Sequence, residues 1–460
     1  MRLDVIVLAA GRGFRMRSEL PKVLHKLGGK SLLEHVVITA SKLKPNNIYV
    51  VGSNELLATP QAQELSDKYQ LTWVSQKQRL GTAHAAKWVL PYLKNSKSRV
   101  LILYGDVPLV TVATLKQLLS IAPLVGVGLI TAFCDEPTGL GRIIRNERGG
   151  ISSIIEHRDA TIQERKVKEV NSGIMVINSE VLQKFLPLIG KRNTQGEYYL
   201  TDIIKLLVKN QLPAEALQLD SFEEVSGIND KRQLAIAERN YQKKLVDEYL
   251  LKGLTLLDPN RFDVRGEFEF GSDVTIDVNV VCEGVVKLGS GSKVEANTLL
   301  RNVVIGDNVL IKANCVIEDA VIKDHCIVGP FARIRPGSNL GEGVKVGNFV
   351  EIKNSVIKKS SKINHLSYVG DTLMGTEVNI GAGTITCNYD GLVKHRTTIE
   401  DGVFVGSNVA LVAPVKLGKR SKIGAGSTIT KNVANDTLVV ARVPQAEKKS
   451  GGRVRRKKRG

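Results

Sequence analysis

The sequence predicts two domains: an α/β domain with a doubly wound, mostly parallel sheet, followed by an all-β domain that forms a parallel β-helix. A chain of 460 residues exceeds what one hydrophobic core usually organises. In the first half, short β-branched runs alternate with stretches of helical period. After Asp263, apolar residues recur at every sixth position.

The α/β pattern extends from residue 3 to about residue 219. Runs such as Val100–Leu103 predict strands, and stretches such as 32–43 predict the helices between them. Ligands bind at the carboxyl ends of the strands in such sheets. We therefore expect the functional residues in the loops that directly follow the strands.

The six-residue period fits neither a helix nor a two-faced strand. It fits a triangular β-helix, in which each side contributes one inward aliphatic residue and three sides close a coil. The inward positions are Phe270, Ile276, Cys282, Leu288, Val294, Leu300, Ile305, Ile311, Ile317, Val328, Ile334, Leu340, Val346, Ile352, Ile399, Val405, Leu411, Leu417, Ile423 and Ile429. The register breaks near 300–305, 317–328, 352–363 and 369–399, and we expect projecting loops there.

These patterns divide the chain into residues 1–229, a linker helix over 230–254, a β-helix over 255–445 and a basic tail over 446–460. The tail has eight Lys or Arg against one Glu, which is a large part of the net charge of +19. Such a run predicts disorder and nonspecific attraction to polyanions. We therefore expect no specific nucleic-acid partner.

The distribution of apolar residues and cysteines also indicates where in the cell the protein is located. No run of about 18 apolar residues occurs, so no membrane insertion is predicted. The N-terminus lacks the features of a secretory signal, and we expect a cytoplasmic protein. The five cysteines are odd in number and form no CxxC pair, which indicates reduced thiols and no zinc site.

A glycine-containing loop, Leu8-Ala9-Ala10-Gly11-Arg12-Gly13-Phe14-Arg15-Met16, follows the first predicted strand. Its backbone N–H groups could approach a phosphate, with Arg15 and the nearby Lys22 supplying positive charge. A tight structural turn and a solvated lysine are the alternatives. The loop lacks the GxGxxG spacing of a dinucleotide fold, which disfavours a nicotinamide enzyme.

Asp106 follows the buried run Val100–Leu103 directly. A carboxylate at this edge of the sheet suits Mg²⁺, which prefers one or two protein oxygens together with substrate phosphates. A turn aspartate that caps the next helix is the alternative.

His365 belongs to the densest polar cluster of the second half, which includes Asn364-His365-Leu366-Ser367-Tyr368 and Cys387-Asn388-Tyr389-Asp390-Gly391. An acetyl transfer to an amine needs a base of near-neutral pKa, which histidine supplies, and donors for the thioester oxyanion. A half-buried structural histidine is the alternative.

The first half resembles the sugar-nucleotide pyrophosphorylases. The motifs that match are LAAGRGFRM, Pro21-Lys22, Gln76, Leu80-Gly81-Thr82, Tyr104-Gly105-Asp106, Gly139-Leu140-Gly141-Arg142, Ile155-Glu156-His157, Asn171-Ser172-Gly173, Gly196-Glu197-Tyr198-Tyr199 and Gly227-Ile228-Asn229. The resemblance implies the fold of nucleotide-diphospho-sugar transferases. One departure is Phe14, where the family commonly has a small hydroxyl residue.

The pyrophosphorylase resemblance also implies residue roles. Asp106 and Asn229 would bind Mg²⁺. The residues implied in binding UTP and UDP-N-acetylglucosamine are Leu8, Ala9, Ala10, Gly11, Lys22, Gln76, Gly81, Thr82, Tyr104, Gly105, Asp106, Gly141, Glu156, Asn171 and Asn229.

The second half is similar to the hexapeptide-repeat acyltransferases, through the segments FARIRPG, GNFVEIK, NHLSYVGD, NIGAGTITCNYDG, KHRT and ARVPQ. The similarity implies a left-handed β-helix, His365 as general base, acetyl-CoA as substrate, and a homotrimer with its acetyl-CoA site between subunits. Glucosamine 1-phosphate would contact Arg335, Lys353, Tyr368, Asn379 and Lys394. Acetyl-CoA would contact Ala382, Asn388, Tyr389, Ser407, Ala425 and Arg442.

Together the two halves are similar to bacterial enzymes that make UDP-N-acetylglucosamine, a cell-envelope precursor, in two reactions. The second half would acetylate glucosamine 1-phosphate, and the first would join the product to UMP from UTP. A one-reaction nucleotidyltransferase with a structural or regulatory β-helix is one alternative. A nucleic-acid-binding protein, suggested by the charge, is another.

Overall fold

The computed structural model describes residues 2–93 and 98–447. The predicted basic tail, apart from Ala446 and Glu447, lies outside these residues. The chain divides into two compact units, Met1–Gln242 and Lys243–Gly460. The division falls within the helix Lys231–Leu251, at the place where the sequence predicts a linker helix.

The first unit is built on one main sheet with a hairpin at its side. The hairpin strands are Arg142–Arg145 and Ile151–Ile155, and Glu169–Asn178 runs antiparallel to both of its neighbours in the main sheet. Across the main sheet the strand order is Ala214–Leu219, Val127–Phe133, Glu169–Asn178, Arg99–Tyr104, Leu3–Leu8, Asn47–Gly52 and Thr72–Ser75. Two short strands, Lys26–Leu27 and Lys30–Ser31, pair separately.

The first strand shows why this sheet is covered on both faces. Ile6 and Leu8 belong to one hydrophobic core, whereas Val5 and Val7 belong to another. Successive side chains of a strand point to opposite faces, so a continuous apolar run requires a core on each side. This arrangement is the doubly wound pattern that the alternating sequence predicts.

Several helices of the first unit begin at hydroxyl caps. Ser31 accepts a hydrogen bond from Glu34 N, and Thr111 accepts one from Thr114 N. The α-helices are Leu32–Ser41, Asn54–Leu57, Pro60–Tyr69, Thr82–Lys87, Val112–Ile121, Ser179–Phe185, Asp202–Lys209 and Lys231–Leu251. Short 3₁₀ turns are Phe14–Met16, Lys22–Leu24, Leu90–Leu93, Glu164–Lys166, Leu186–Leu188, Glu223–Val225 and Pro259–Arg261.

The second unit is a parallel β-helix with three stacks of strands. The first stack contains Thr255–Leu256, Thr275–Ile276, Lys293–Val294, Leu310–Ile311, Ile327–Val328, Lys345–Asn348, Lys362–His365, Asn379–Ile380, Phe404–Val405, Lys422–Ile423 and Leu438–Val439. The second contains Arg333–Ile334, Glu351–Lys353, Tyr368–Gly370, Ile385–Cys387, Ala410–Val412 and Thr428–Ile429. The third contains Ser338–Leu340, Val356–Ile357, Thr372–Met374, Thr397–Ile399 and Val415–Leu417. Four longer strands, Phe262–Phe270, Val280–Leu288, Leu299–Ile305 and Val316–Ile322, extend over the second and third sides.

The inward column matches the six-residue period. Val346 lies over Ile363, which lies over Ile380, and each is at most 4% exposed. The corners need a left-handed backbone, which asparagine tolerates better than most residues. Asn279 and Asn297 have φ of 59° and 58°, and their side chains are joined by a hydrogen bond of 3.0 Å.

The prediction that each break in register forms a projecting loop is wrong for three of the four breaks. Leu299–Ile305 and Val316–Ile322 are continuous strands, and the break at 352–363 contains the short strand Val356–Ile357 between two coil corners. A coil of 17 residues has one five-residue side, which shifts the register without adding a loop. Asn379, in contrast, pairs with Phe404, 25 positions further along, because residues 388–396 project from the coil.

The predicted fold class is therefore confirmed: an α/β unit with a mostly parallel sheet precedes a unit of parallel β-helix. Within the described residues, no helix combines the length and apolar character needed to span a membrane.

A substitution in the inward column tests the β-helix packing. Ile352 is 0% exposed, and we expect Ile352→Ala to lower the free energy of unfolding by about 2–5 kcal/mol through lost burial and a cavity. Val356 is 42% exposed, and Val356→Ala should change it by less than about 0.5 kcal/mol. Denaturant titration of both variants measures the difference, and equal effects would contradict the inward placement of Ile352.

Candidate functional sites

The first unit contains a cavity of about 840 Å³ at the carboxyl ends of its parallel strands. Leu8, at the end of the first strand, pairs in register with Val51 and Tyr104 on the two neighbouring strands. Gly105 N donates to Leu8 O at 2.9 Å, so the two predicted loops lie side by side. Predicted residues that line the cavity are Leu8, Ala9, Ala10, Gly11, Lys22, Gln76, Gly81, Thr82, Tyr104 and Asp106.

One wall of the cavity depends on Gly81. Its φ is +110°, and a Cβ there would lie 2.5 Å from Tyr198 O, so only glycine fits. Thr82 then accepts a hydrogen bond from Leu200 N at 2.9 Å. Gln76 is buried and lies 3.0 Å from His84 Nδ1 through its side-chain amide. The amide of Gln76 is therefore held in a fixed orientation at the cavity wall.

Three more of the residues predicted to bind UTP and UDP-N-acetylglucosamine form a second group: Gly141, Glu156 and Asn171. Asn171 N donates to Gly141 O at 2.9 Å, and Glu156 accepts a hydrogen bond from Thr201 Oγ1 at 3.0 Å. Burial raises the pKa of Glu156. Burial, and next the charge of Glu156, also raise the pKa of Tyr104, which lines the cavity. Glu156 and the cavity residue Tyr104 are therefore close enough for the charge of one to affect the ionisation of the other.

Lys22 brings the two predicted metal ligands together. Its ammonium forms an ion pair with Asp106 Oδ2 and donates to Asn229 Oδ1 at 3.1 Å. Ile228 N donates to Asp106 O at 2.9 Å, which joins the two ligand segments. Carboxylate and amide oxygens are hard donors that suit a divalent cation.

The glycine-containing loop differs from expectation in its charged residue. Arg12 and Phe14 line the cavity, whereas Arg15 is exposed and does not. The Arg12 guanidinium lies 5.4 Å from the centre of the Phe14 ring, within cation–π range. The sequence motif could not distinguish Arg12 from Arg15, because both flank the same turn.

The second unit gathers positive side chains on two neighbouring coils. Arg335 Nη1 donates to Glu351 Oε1 at 2.7 Å, and Lys353 Nζ lies 3.5 Å from Asp371 Oδ2. The neighbouring Lys353 ammonium lowers the pKa of Lys394. Three cations predicted to bind the sugar phosphate therefore share one region of the surface.

Tyr368 and Asn388 complete this group. Tyr368 pairs in register with Glu351, and its hydroxyl lies 3.4 Å from Asn388 Nδ2. Asn388 also donates to Asp371 and is 7% exposed. Asn388, which the resemblance assigns to acetyl-CoA, thus lies among the residues assigned to the sugar phosphate. Asn379 belongs to a different strand stack, the first, where it pairs with Lys362.

His365 is exposed, at the end of its strand. Its Nδ1 lies 3.1 Å from Asn348 Oδ1, one coil earlier. An amide oxygen accepts only, so it favours the tautomer with a proton on Nδ1 and leaves Nε2 free to accept one. This is the tautomer that a general base acting through Nε2 requires.

The other residues assigned to acetyl-CoA form a column over successive coils. Asn408 N donates to Ala382 O at 2.7 Å, and Gly426 N donates to Ser407 O at 2.8 Å. Arg442 donates to Ala425 O at 2.9 Å. Tyr389 lies outside the column, in the projecting segment 388–396, and is 60% exposed.

Sequence reasoning missed Glu351, Asp371 and Asn348. Each is a partner of a predicted residue on an adjacent coil, 16 to 18 positions away. The length of one coil is the signal that could have found them, since residues separated by one coil stack directly. Burial raises the pKa of Asp371, but hydrogen bonds from Asn354 and Asn388 and the charge of Lys353 outweigh burial, so the net effect lowers the pKa.

Comparisons with known proteins agree with both units. A family model described as a MobA-like NTP transferase domain matches residues 5–136, and one described as the GMPPB C-terminal domain matches residues 316–416. The bifunctional protein GlmU of Idiomarina loihiensis is 49% identical over 448 residues, which cover 97% of each chain. That of Nitrosococcus oceani is 52% identical over 445 residues, again 97% of each chain. This chain belongs to the GlmU family.

Membership of the GlmU family confirms the predicted function. The chain is a bifunctional enzyme of UDP-N-acetylglucosamine synthesis, a uridylyltransferase and an acetyltransferase. The protein of Acinetobacter baylyi adds to this agreement, with 46% identity over 448 residues that cover 97% of this chain and 98% of its own. A nucleotidyltransferase of this family uses a divalent metal ion. Within residues 2–93 and 98–447, no three His, Cys, Asp or Glu side chains form a metal-binding group.

The raised pKa of Glu156 gives a pH-dependent stability prediction. Its folded-state pKa lies above the unfolded value, so the stability it contributes is complete below the ordinary glutamate pKa and is lost as pH rises. We expect Glu156→Gln to stabilise the protein at neutral pH by about 0.5–2 kcal/mol and to have little effect near pH 4. Thermal unfolding at both pH values measures this. Glu64→Gln, at an exposed position, is the control and should change neither value.

Proposed function

We propose that the two reactions are divided between the predicted domains, with uridylyl transfer in residues 1–229 and acetyl transfer in residues 255–445, joined by the helix at 230–254. The observation that supports this division is that each unit has its own site with lysine side chains. Lys22 lies at the cavity of the first unit, whereas Lys353 and Lys394 lie beside each other in the second.

In the first unit, the cavity binds UTP at the strand ends. Lys22 contacts its phosphates, and Gln76, Gly81 and Thr82 recognise the uracil through fixed amide and backbone groups. The residues proposed for the nucleotide are Leu8, Ala9, Ala10, Gly11, Lys22, Gln76, Gly81, Thr82, Tyr104 and Gly105. Those proposed for the sugar phosphate are Gly141, Glu156 and Asn171.

The metal proposed for this site is Mg²⁺, with Asp106 and Asn229 as its protein ligands. Both oxygens already face one cation, the Lys22 ammonium, so the donor set fits a small hard cation. When bound, Mg²⁺ neutralises charge on the phosphates. The protein positions the phosphate of N-acetylglucosamine 1-phosphate for in-line attack on the α-phosphorus of UTP, and pyrophosphate leaves.

In the second unit, His365 Nε2 accepts a proton from the amino group of glucosamine 1-phosphate as the nitrogen attacks the thioester carbon. The C–N bond forms, the C–S bond breaks, and CoA leaves. The hydrogen bond between His365 Nδ1 and Asn348 fixes the ring in the orientation that this step requires. Arg335, Lys353 and Lys394 bind the sugar phosphate, with Tyr368 and Asn379 beside them.

Acetyl-CoA would lie along the column of Ala382, Ser407, Ala425 and Arg442, with Asn388 and Tyr389 at one end. We further propose that the protein is a homotrimer in which a neighbouring subunit covers this region. Support comes from an exposed apolar corner next to His365. Phe331, Phe349 and Leu366 occupy it on successive coils and are 50%, 56% and 60% exposed.

We propose a cytoplasmic location because both nucleotide and acetyl-CoA substrates are cytoplasmic metabolites.

The nucleic-acid alternative rests on the tail, which lies outside the described residues. Removal of residues 446–460 should abolish polyanion binding and leave both activities intact. Loss of either activity on truncation would give the tail a catalytic role.

Paired assays test the division of labour. Wild type should release CoA from acetyl-CoA and glucosamine 1-phosphate, and pyrophosphate from UTP, Mg²⁺ and N-acetylglucosamine 1-phosphate. His365→Ala should lose CoA release by about 100-fold or more and keep pyrophosphate release. Asp106→Ala should show the opposite pattern. If the wild-type protein released no CoA, the β-helix would have only a structural role.

Asn348 gives a finer test of the acetyl-transfer base. We expect Asn348→Ala to lower kcat for acetyl transfer by about tenfold, less than His365→Ala, because only ring orientation is lost. The pH profile of kcat should also differ between Asn348→Ala and the wild type. Asn314→Ala, at a coil corner far from the acetyl-transfer residues in the stack of coils, is the matched control and should leave the profile in place. An unchanged Asn348→Ala profile would contradict the orienting role.

A further inference from the structure

The Lys22 ammonium occupies the position between the two proposed metal ligands. It is paired with Asp106 and lies 3.1 Å from Asn229 Oδ1. The side chains of Lys22 and Asp106 are only 11% and 15% exposed, so water screens this pair weakly. A cation of the protein itself therefore neutralises the carboxylate on which metal binding depends.

The surrounding backbone fixes both oxygens in place. Asn229 Nδ2 lies 3.3 Å from Gly227 O, which turns Oδ1 toward Lys22. Asn229 N donates to Gln233 Oε1 at 2.7 Å, and Asp106 O accepts a hydrogen bond from Ile228 N. The ligands are thus held rigidly, whereas the lysine side chain that contacts them has a flexible four-carbon stem.

The glycine-containing loop packs directly on that stem. Gly13 has φ +63°, and a Cβ there would lie 2.6 Å from Lys22 Cβ. The cavity that Lys22 lines is also lined by Gly11 and Arg12 of the same loop. Phosphates bound at this loop would lie within the reach of the lysine, so Lys22 has two alternative anionic partners.

We propose that Lys22 and the divalent metal compete for Asp106 and Asn229, and that nucleotide phosphates open the metal site by drawing the Lys22 ammonium away. The inference rests on the proposed metal ligands. It assigns Lys22 a second, positioning role beyond phosphate binding. The protein without nucleotide should then bind a divalent ion weakly, and metal and nucleotide should bind cooperatively.

Mn²⁺ titration of the full-length protein without nucleotide, followed by electron paramagnetic resonance, tests the competition. Lys22→Met removes the competing charge, and we expect it to tighten Mn²⁺ binding by about tenfold or more. Lys22→Arg retains a cation and should bind Mn²⁺ as weakly as wild type. Lys77→Met removes another lysine that lines the cavity, and it should change Mn²⁺ affinity less than about twofold. Circular dichroism of each variant establishes that it is folded.

The outcomes separate this inference from the proposed metal site. If Asp106→Ala abolishes the tight binding of Lys22→Met, and the two controls behave as wild type, the competition is established. If Lys22→Met binds Mn²⁺ no more tightly than wild type while Asp106→Ala weakens that binding, the metal site stands and the competition is wrong. If Asp106→Ala binds as wild type, both are wrong.

Discussion

A lysine paired with a shielded aspartate occurs at the proposed phosphate-binding position of each unit. Lys22 contacts Asp106 in the first, and Lys353 contacts Asp371 in the second. An unpaired lysine side chain would sample many rotamers, whereas an ion pair holds the side chain in one position even when no ligand is bound. A phosphate that bound at either proposed position would have to compete with the carboxylate already present. Each site would thus combine preorganised charge with reversible binding.

The fold could be predicted from sequence because both of its periodicities are local. The strand Leu3–Leu8 is apolar throughout, which requires a core on each face, and the six-residue spacing from Val346 to Ile352 requires a triangular coil. The breaks in spacing were less informative. A five-residue side and a projecting segment give similar breaks, and only pairing between strands, such as Asn379 with Phe404, distinguishes them.

Through motifs that the family resemblance assigns to ligands, the sequence predicted residues that line the cavity of the first unit, and their roles remain predictions. What sequence could not supply were the contacts between distant segments. Lys22 contacts Asn229 across 207 positions, and no periodicity relates them. The partners on adjacent coils, such as Asn348 for His365, follow from a regular spacing of 17 residues and were within reach of the sequence. The place of Asn388 beside Asp371 depends on how segment 388–396 leaves the coil, which spacing alone does not determine.

The central claim is that one chain contains two chemically independent sites, and complementation tests it most directly. Asp106→Ala and His365→Ala proteins are each incubated with glucosamine 1-phosphate, acetyl-CoA, UTP and Mg²⁺, alone and mixed, and UDP-N-acetylglucosamine is measured. The account predicts product from the mixture and almost none from either variant alone, because the acetylated sugar phosphate passes through solution between intact sites. A mixture of folded variants that makes no product, or either variant making it alone at the wild-type rate, would contradict the account.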